Sequence, residues 1–211
     1  MTVNLSSIGM REGQHYESII TSQNNDKKAN AAPIGIICKS ENEILCRIFK
    51  GSNTLNNIEK QNEFVFNITQ NPLYFTLSTI GNLEEKYFEY NDNRAFLKDS
   101  EAYVKCTVNS IKEGIKNNDP IRKSEIGIIT ATVTEIIKNK KYVQAPNRGF
   151  YSLIESLINF TRINIVDKQQ QDYYIGRFRE SERVINKVGN EEQKKAIDLL
   201  KNTIKEKGYE V

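Results

Sequence analysis

The sequence contains no tryptophan, one histidine and only three cysteines among its 211 residues. His15 and three cysteines that stand far apart, Cys38, Cys46 and Cys106, do not supply the closely spaced ligands of a metal site, so none is predicted. An odd number of cysteines and the lack of a secretory signal predict a reducing compartment, the cytoplasm. No apolar run approaches the roughly 20 residues of a membrane-spanning helix, so no membrane partner is expected.

The sequence also lacks an excess of charge of either sign. Lys and Arg number 30 and Asp and Glu number 27, which leaves a formal net charge of +3. A balance this small does not indicate a nucleic-acid surface, and the short cationic run at 138–141 is interpreted as a solvated loop. No nucleic-acid partner is therefore predicted.

Most of the chain has the pattern of β-strands. Runs of β-branched and aromatic residues separated by polar turns predict strands at 15–22, 31–38, 43–49, 63–68, 102–111 and 127–137. At least six strands, with only one or two short helices between them, favour an antiparallel closed barrel or sandwich over alternating βαβ units. We assign residues 1–145 to this β domain.

The pattern becomes helical from Gly149 onward, and residues 146–211 are assigned to a helical C-terminal domain. One predicted helix carries an apolar stripe of Leu153, Ile154, Leu157 and Ile158. A charged amphipathic helix follows at 172–188. Asn190 is the predicted N-cap of the last helix, and Gln193 stands at the capping-box position three residues later.

The segment Asn30-Ala31-Ala32-Pro33-Ile34-Gly35 is the first candidate for a binding role. Small residues, a proline and a glycine within a strand let another group lie close against the backbone. Because Pro33 has no N–H to donate, the segment is predicted to lie at a strand edge or bulge. The alternative is an ordinary barrel corner with no ligand.

A second candidate is the turn after the third predicted strand, Lys50-Gly51-Ser52-Asn53-Thr54, which leads into a short helix with Leu55 and Ile58 on its buried side. The first N–H groups of a helix, with hydroxyls and a lysine nearby, suit a phosphate. The alternative is that Ser52 or Thr54 only caps the helix.

A third segment, Ala145–Tyr151, links the two predicted domains. Arg148 is suited to pair with a phosphate through two hydrogen bonds, and Phe150 or Tyr151 is suited to stack on a planar ring. The alternative is that the two aromatic residues only seal the joint between the domains.

Taken in order, these segments resemble the flavin-reductase-like FMN-binding split barrels, whose fold is an antiparallel Greek-key split β-barrel. The resemblance rests on Tyr16–Thr21, Asn30–Gly35, Lys50–Ile58 and Glu63–Asn67. Within this superfamily the sequence is most similar to an uncharacterised archaeal family, a domain of unknown function with a helical C-terminal region. That family has a helix with a Gly-Phe-Tyr start, as at Gly149-Phe150-Tyr151, so the resemblance covers almost the whole chain.

The resemblance implies a homodimer that binds FMN near the subunit interface. The residues implied to hold the phosphate and ribityl chain are Ser52, Asn53, Thr54 and Asn57. Those implied to lie against the isoalloxazine ring are Asn30, Ala31, Ala32 and Pro33, with Ser18 and Ile19 on the neighbouring strand. Flavin reductases carry Lys-Asp-Thr where this chain has Gly51-Ser52-Asn53-Thr54, which moves the lysine back to Lys50, so reductase activity does not follow from the motif.

Three functions stay open at this point. The first is an oxidoreductase in which FMN takes a hydride from NAD(P)H or a deazaflavin, with no side chain needed as catalytic acid or base and Arg148 a candidate donor to the reduced ring. The second is a non-enzymatic FMN storage or sensing module. The third is a β-barrel interaction module, which is disfavoured because its nearest aromatic cluster, at 87–90, lies among glutamates. The aromatic and acidic stretch Gly81–Lys98 is interpreted as a lid over the flavin.

Overall fold

The computed structural model describes residues 3–116 and 124–211. These residues divide into two compact units, the first ending at Pro146 and the second spanning Asn147–Val211. Among the described residues, no helix is long and apolar enough to span a membrane.

The first unit is a closed antiparallel β-barrel, as the sequence predicted. Its strands follow the ring order β1-β2-β3-β8-β7-β4. Their bounds are β1 His15–Gln23, β2 Ala29–Cys38, β3 Glu43–Phe49, β4 Glu63–Ile68, β7 Ala102–Lys116 and β8 Ser124–Lys138. A separate two-stranded hairpin consists of β5 Phe88–Asn91 and β6 Arg94–Leu97. The described part of this unit also contains two α-helices, α1 Asn53–Gln61 and α2 Pro72–Ile80, and 3-10 turns at Leu5–Ile8 and Glu85–Tyr87.

The barrel interior is filled by apolar side chains, because alternate residues of each strand point inward. Ile20, Ile36, Phe66 and Val104 are each 0% exposed. Leu55 and Ile58 of α1 join the same cluster, so this helix contributes to the barrel core. The three cysteines are unpaired and buried, and burial raises the pKa of the Cys46 thiol to about 12.

A second apolar cluster covers the outside of β1 and β2. Its members are Ile19, Ala29 and Ala31 of the strands and Tyr74, Leu83, Phe88, Ala95 and Leu97 of α2 and the segment after it. Most of Gly81–Lys98, interpreted above as a lid, is therefore a 3-10 turn and the β5–β6 hairpin packed on the barrel wall.

Hydrogen bonds fix the hairpin to the barrel. The Asn67 amide Nδ2 donates to the Ile19 carbonyl at 2.9 Å and to Thr21 Oγ1 at 3.1 Å, and its Oδ1 accepts from the Leu97 N–H at 3.0 Å. Thr21 Oγ1 in turn donates to the Ala95 carbonyl at 2.6 Å. Buried polar groups of this kind need their partners, so the network specifies where β6 lies.

An ion cluster ties the hairpin turn to the barrel. The Lys105 side chain is 5% exposed, and its Nζ lies 2.8 Å from Asp92 Oδ2 and 2.7 Å from Glu135 Oε2. Hydrogen bonds to the two carboxylates raise the pKa of Lys105, so the lysine stays charged where it is buried.

The second unit contains α3 Arg148–Arg162, α4 Lys168–Val188 and α5 Glu191–Glu206. The predicted capping box is confirmed: Asn190 Oδ1 accepts from the Gln193 N–H at 2.8 Å, and Gln193 Oε1 accepts from the Asn190 N–H at 3.2 Å. Of the predicted stripe on α3, only Leu153 is buried, whereas Ile154, Leu157 and Ile158 are 37–45% exposed. The buried side of α3 follows the spacing of Gly149, Leu153 and Ser156 instead.

Two glycines allow the start of α3 to meet the end of α4. A Cβ placed on Gly149 would lie 3.2 Å from the Gly189 Cα, and one placed on Gly189 would lie 2.6 Å from the Ile185 carbonyl oxygen. The Asn147 side chain closes the junction by donating from Nδ2 to the Val188 carbonyl at 2.8 Å. A Cβ at Gly189 requires a shift of the backbone, whereas a Cβ at Gly149 first meets the side-chain oxygens of Gln193 and Asn147.

Candidate functional site

The ring of six strands is closed, but in the described part of the chain one edge of β2 is unpaired over part of its length, and this unpaired stretch is the opening of the barrel. This strand pairs with β1 over residues 29–37 but with β3 only over residues 36–38. Among the described residues, the second edge of β2 therefore has no strand partner over residues 29–35. Pro33 lies within this stretch, which agrees with the prediction of a strand edge from its missing N–H.

The N-terminus of α1 lies beside the open stretch. Gly51 turns the chain with a φ of +81°, a conformation that favours glycine, and Ser52 is the N-cap, accepting from the Leu55 N–H at 3.3 Å. Asn30 Nδ2 donates to Thr54 Oγ1 at 2.9 Å, and Asn57 Nδ2 donates to Ser22 Oγ at 3.2 Å. These two bonds join the first turns of α1 to β2 and β1.

The local electrostatics favour an anion at the start of α1. The first turn of the helix contains no acidic residue, and the helix dipole places partial positive charge there. Lys50 adds little free charge, because its Nζ lies 3.0 Å from Glu113 and 3.4 Å from Glu125. The hydrogen bond to Glu113 raises the pKa of Lys50, so the lysine stays charged. The groups at this turn suited to an anion are therefore the backbone N–H groups and the Ser52 hydroxyl.

Two family profiles match the chain over nearly its full length. The N-terminal domain of a protein family of unknown function, DUF447, matches residues 16–144, and the second DUF447 domain matches residues 147–202. The chain belongs to the DUF447 family. The resemblance drawn from the sequence is thereby confirmed.

Solved structures similar to this DUF447 protein include the FMN-bound protein MM1853 from Methanosarcina mazei. The two chains are 29% identical with a TM-score of 0.54, and the match covers 94% of this chain and 99% of the other. Flavoredoxin from Methanosarcina acetivorans is 12% identical with a TM-score of 0.46, covering 68% and 77%. Nitrilotriacetate monooxygenase component B from Bacillus cereus is 13% identical with a TM-score of 0.47, covering 67% and 79%.

The predicted site residues of the DUF447 protein fall into three groups. Those at the opening with accessible surface are Asn30, Ala32, Pro33, Gly51, Ser52 and Asn53. Those that are buried in the fold are Ser18, Ile19, Ala31, Thr54 and Asn57. The remaining two are Lys50, which is held by the ion pairs, and Arg148, which is the first residue of α3 in the second unit.

The buried predicted residues make contacts within the fold. Ser18 is 0% exposed, and its Oγ donates to the Ile34 carbonyl at 2.9 Å. Ile19 and Ala31 belong to the apolar cluster outside the barrel, and Thr54 is occupied with Asn30. Their side chains therefore shape the opening, while the accessible residues and the backbone line it.

The sequence reading missed Asn82. Its Nδ2 donates to the Ala29 carbonyl at 3.0 Å, and its Oδ1 accepts from the Ala31 N–H at 3.1 Å. The residue follows α2, far along the chain from β2, and a lone asparagine after a helix gives no signal of such a contact in a chain rich in asparagine. Only the three-dimensional structure brings it to the open strand.

Proposed function

We propose that this DUF447 protein binds FMN at the opening of the barrel and works as an FMN-dependent oxidoreductase. The observation that carries the proposal is the Asn30–Thr54 hydrogen bond of 2.9 Å, which joins the N-terminus of α1 to the open stretch of β2. One anion-attracting helix start and one unpaired strand edge thus lie side by side, which suits a ligand with a phosphate at one end and a planar polar ring at the other.

The residues at the opening fit the two ends of FMN. Ser52, Asn53 and the first N–H groups of α1 suit the phosphate. Ala32 and Pro33 are small enough for a flat ring to approach, and the open edge of β2 offers backbone groups to the polar rim of the isoalloxazine. The FMN in the similar protein MM1853 supports the proposal, since that chain is matched over nearly its whole length.

The chain contributes binding and orientation in this proposal. FMN, when bound, supplies the redox chemistry by exchanging a hydride at its N5 with NAD(P)H or a deazaflavin. The protein holds the phosphate at α1 and presents the ring along β2, and no side chain is required as a catalytic acid or base. The proposal includes a homodimer, implied by the family resemblance, and a cytoplasmic location, supported by the three unpaired buried cysteines.

A charge placed at the start of α1 tests the phosphate assignment. We expect Asn53→Glu to weaken FMN binding at least tenfold in a fluorescence titration, because an exposed carboxylate at the first helical position repels the phosphate. Riboflavin, which lacks the phosphate, should bind both proteins equally. The stability of the free protein should be unchanged or higher by about 0.3–1 kcal/mol, since a glutamate suits a helix N-terminus.

The matched control is Asn56→Glu, which adds the same charge to an exposed position one turn further along α1. It should weaken FMN binding clearly less than Asn53→Glu. Equal FMN affinity in the wild type and both variants would contradict the assignment of the phosphate to the N-terminus of α1. A wild-type protein that takes up no FMN would contradict the proposed function itself.

Turnover is tested separately with the FMN-loaded protein. We expect anaerobic addition of NADH, NADPH or a reduced deazaflavin to bleach the visible flavin absorbance within seconds to minutes. In the proposed site one side of the ring faces solvent, so the donor can approach it. An FMN-loaded protein that stays yellow with all three donors would be a storage or sensing module.

A further inference from the structure

Asn82 occupies the position that a neighbouring strand would take along β2. In a parallel ladder, one residue of the partner strand accepts from one N–H and donates to the carbonyl two residues back along the same edge. The Asn82 side chain makes the same pair of bonds, accepting from the Ala31 N–H at 3.1 Å and donating to the Ala29 carbonyl at 3.0 Å. One carboxamide therefore replaces a strand at the beginning of the open stretch.

These bonds also show which backbone groups face the opening. Residues that point their N–H and C=O groups to one edge of a strand alternate along it. Since Ala29 and Ala31 bind Asn82, the groups of Pro33 and Gly35 point to the same open edge. The amide of Asn82 thus holds the end of the edge against which the flavin ring is proposed to lie.

The residue held between the two bonds is Asn30. Its peptide N–H and C=O groups point to β1, where it pairs with Ser22, and its side chain reaches Thr54 at the start of α1. Any shift of β2 at Ala29–Ala31 therefore moves the Asn30 side chain and loosens its bond to Thr54. The ring-binding and phosphate-binding parts of the opening depend on the same three residues of β2.

We propose that Asn82 is a positioning residue of the FMN site: its carboxamide holds Ala29–Ala31 of the open strand in the place where Asn30 connects to α1. This inference rests on the proposed function, since it concerns the same site. It requires a side chain that donates and accepts at once, which asparagine does and aspartate, when ionised, does not.

Asn82→Asp tests the proposal through its pH dependence. The ionised carboxylate accepts from the Ala31 N–H but faces the Ala29 carbonyl with a second acceptor, whereas the protonated acid donates again. At about pH 8 we expect the variant to bind FMN at least tenfold more weakly than the wild type. At about pH 4.5, close to the ordinary carboxyl range, the ratio of the two dissociation constants should fall to about threefold or less.

Taking the ratio at each pH removes the titration of the FMN phosphate, which affects both proteins alike. Asn82→Ala loses both bonds without adding charge, so it should weaken FMN binding at all pH values without recovery. Asn139→Asp is the matched control, because Asn139 Nδ2 makes a comparable bond to the Ser100 carbonyl at 2.9 Å. It should leave FMN affinity within twofold of the wild type.

The outcomes separate the two proposals. A wild type that binds FMN together with an Asn82→Asp variant of equal affinity at pH 8 overturns the positioning role alone. An affinity loss that does not recover on acidification, and that follows the melting temperature of the free protein, shows a purely structural residue and also overturns it. A wild type that binds no FMN overturns the proposed function and this inference with it.

Discussion

The Asn67→Ala variant is expected to lose about 3–4 kcal/mol of its free energy of unfolding. The substitution removes three buried hydrogen bonds and leaves the Leu97 N–H and the Ile19 carbonyl without the amide that bound them. A buried polar group left unsatisfied costs about 1–3 kcal/mol, and Asn67 is 0% exposed, so water does not replace it. Such a loss is a large part of the ~5–15 kcal/mol that stabilises an ordinary domain.

Urea unfolding followed by circular dichroism measures this loss, and Asn139→Ala is the comparison. Asn139 is exposed and gives up a single bond, so its replacement should cost no more than about 1 kcal/mol. Amide hydrogen exchange should also show faster exchange at Leu97 in Asn67→Ala, since the bond that docks β6 is gone. If both asparagine variants unfold at the same urea concentration, the polar network does not hold the hairpin.

Replacing either of two glycines by alanine in the helical unit should change stability in opposite directions. At Gly189 the new Cβ lies 2.6 Å from the Ile185 carbonyl oxygen, so the end of α4 must move, and we expect a loss of about 1–3 kcal/mol. At Gly176, within α4, the added Cβ would lie within 4 Å of no described atom outside its chain neighbours and the helix's own backbone. There alanine should raise stability by about 1 kcal/mol, because glycine is a poor helix former.

Thermal unfolding of Gly189→Ala, Gly176→Ala and the wild type tests this prediction, and each variant is the control for the other. The same methyl group is added within α4 at Gly176 and just after α4 at Gly189, so the two variants compare a gain in helix propensity with a clash at the helix end. If Gly189→Ala is as stable as the wild type, the end of α4 tolerates a Cβ at residue 189. The short distance to the Ile185 carbonyl oxygen would then not restrict this position to glycine.

The barrel strands could be predicted because their side chains alternate or are strongly β-branched. β3 at Glu43–Phe49 and β4 at Glu63–Ile68 have the predicted bounds. α2 was not located, because its sequence, Pro72–Ile80, has no charged residue and so no polar side that marks a helical period. The short strands β5 and β6 were also missed, since four residues are too few to show alternation. Packing against β1 and β2 determines their conformation.

The candidate site could be predicted in pieces but not as a whole. Composition pointed to the small residues around Pro33, and capping chemistry pointed to Ser52 at the start of α1. That the two meet through Asn30 and Thr54 depends on the pairing of β1 with β2, which no local pattern contains. The side chain of Ser18, which the resemblance implies lies near the ring, is fully buried, and strand alternation alone does not say which face of a strand is covered.

The unpaired edge of β2 also bears on how this protein avoids uncontrolled strand addition by other chains. An exposed strand edge with free donors and acceptors invites another chain to add a strand, the first step of many aggregates. Pro33 contributes no N–H to this edge, and Asn82 occupies the Ala29 carbonyl and the Ala31 N–H. A foreign strand would therefore find a broken ladder, while a small planar molecule needs only a short part of it. The edge of β2 can therefore remain accessible to a small ligand while it resists the addition of a strand from another chain.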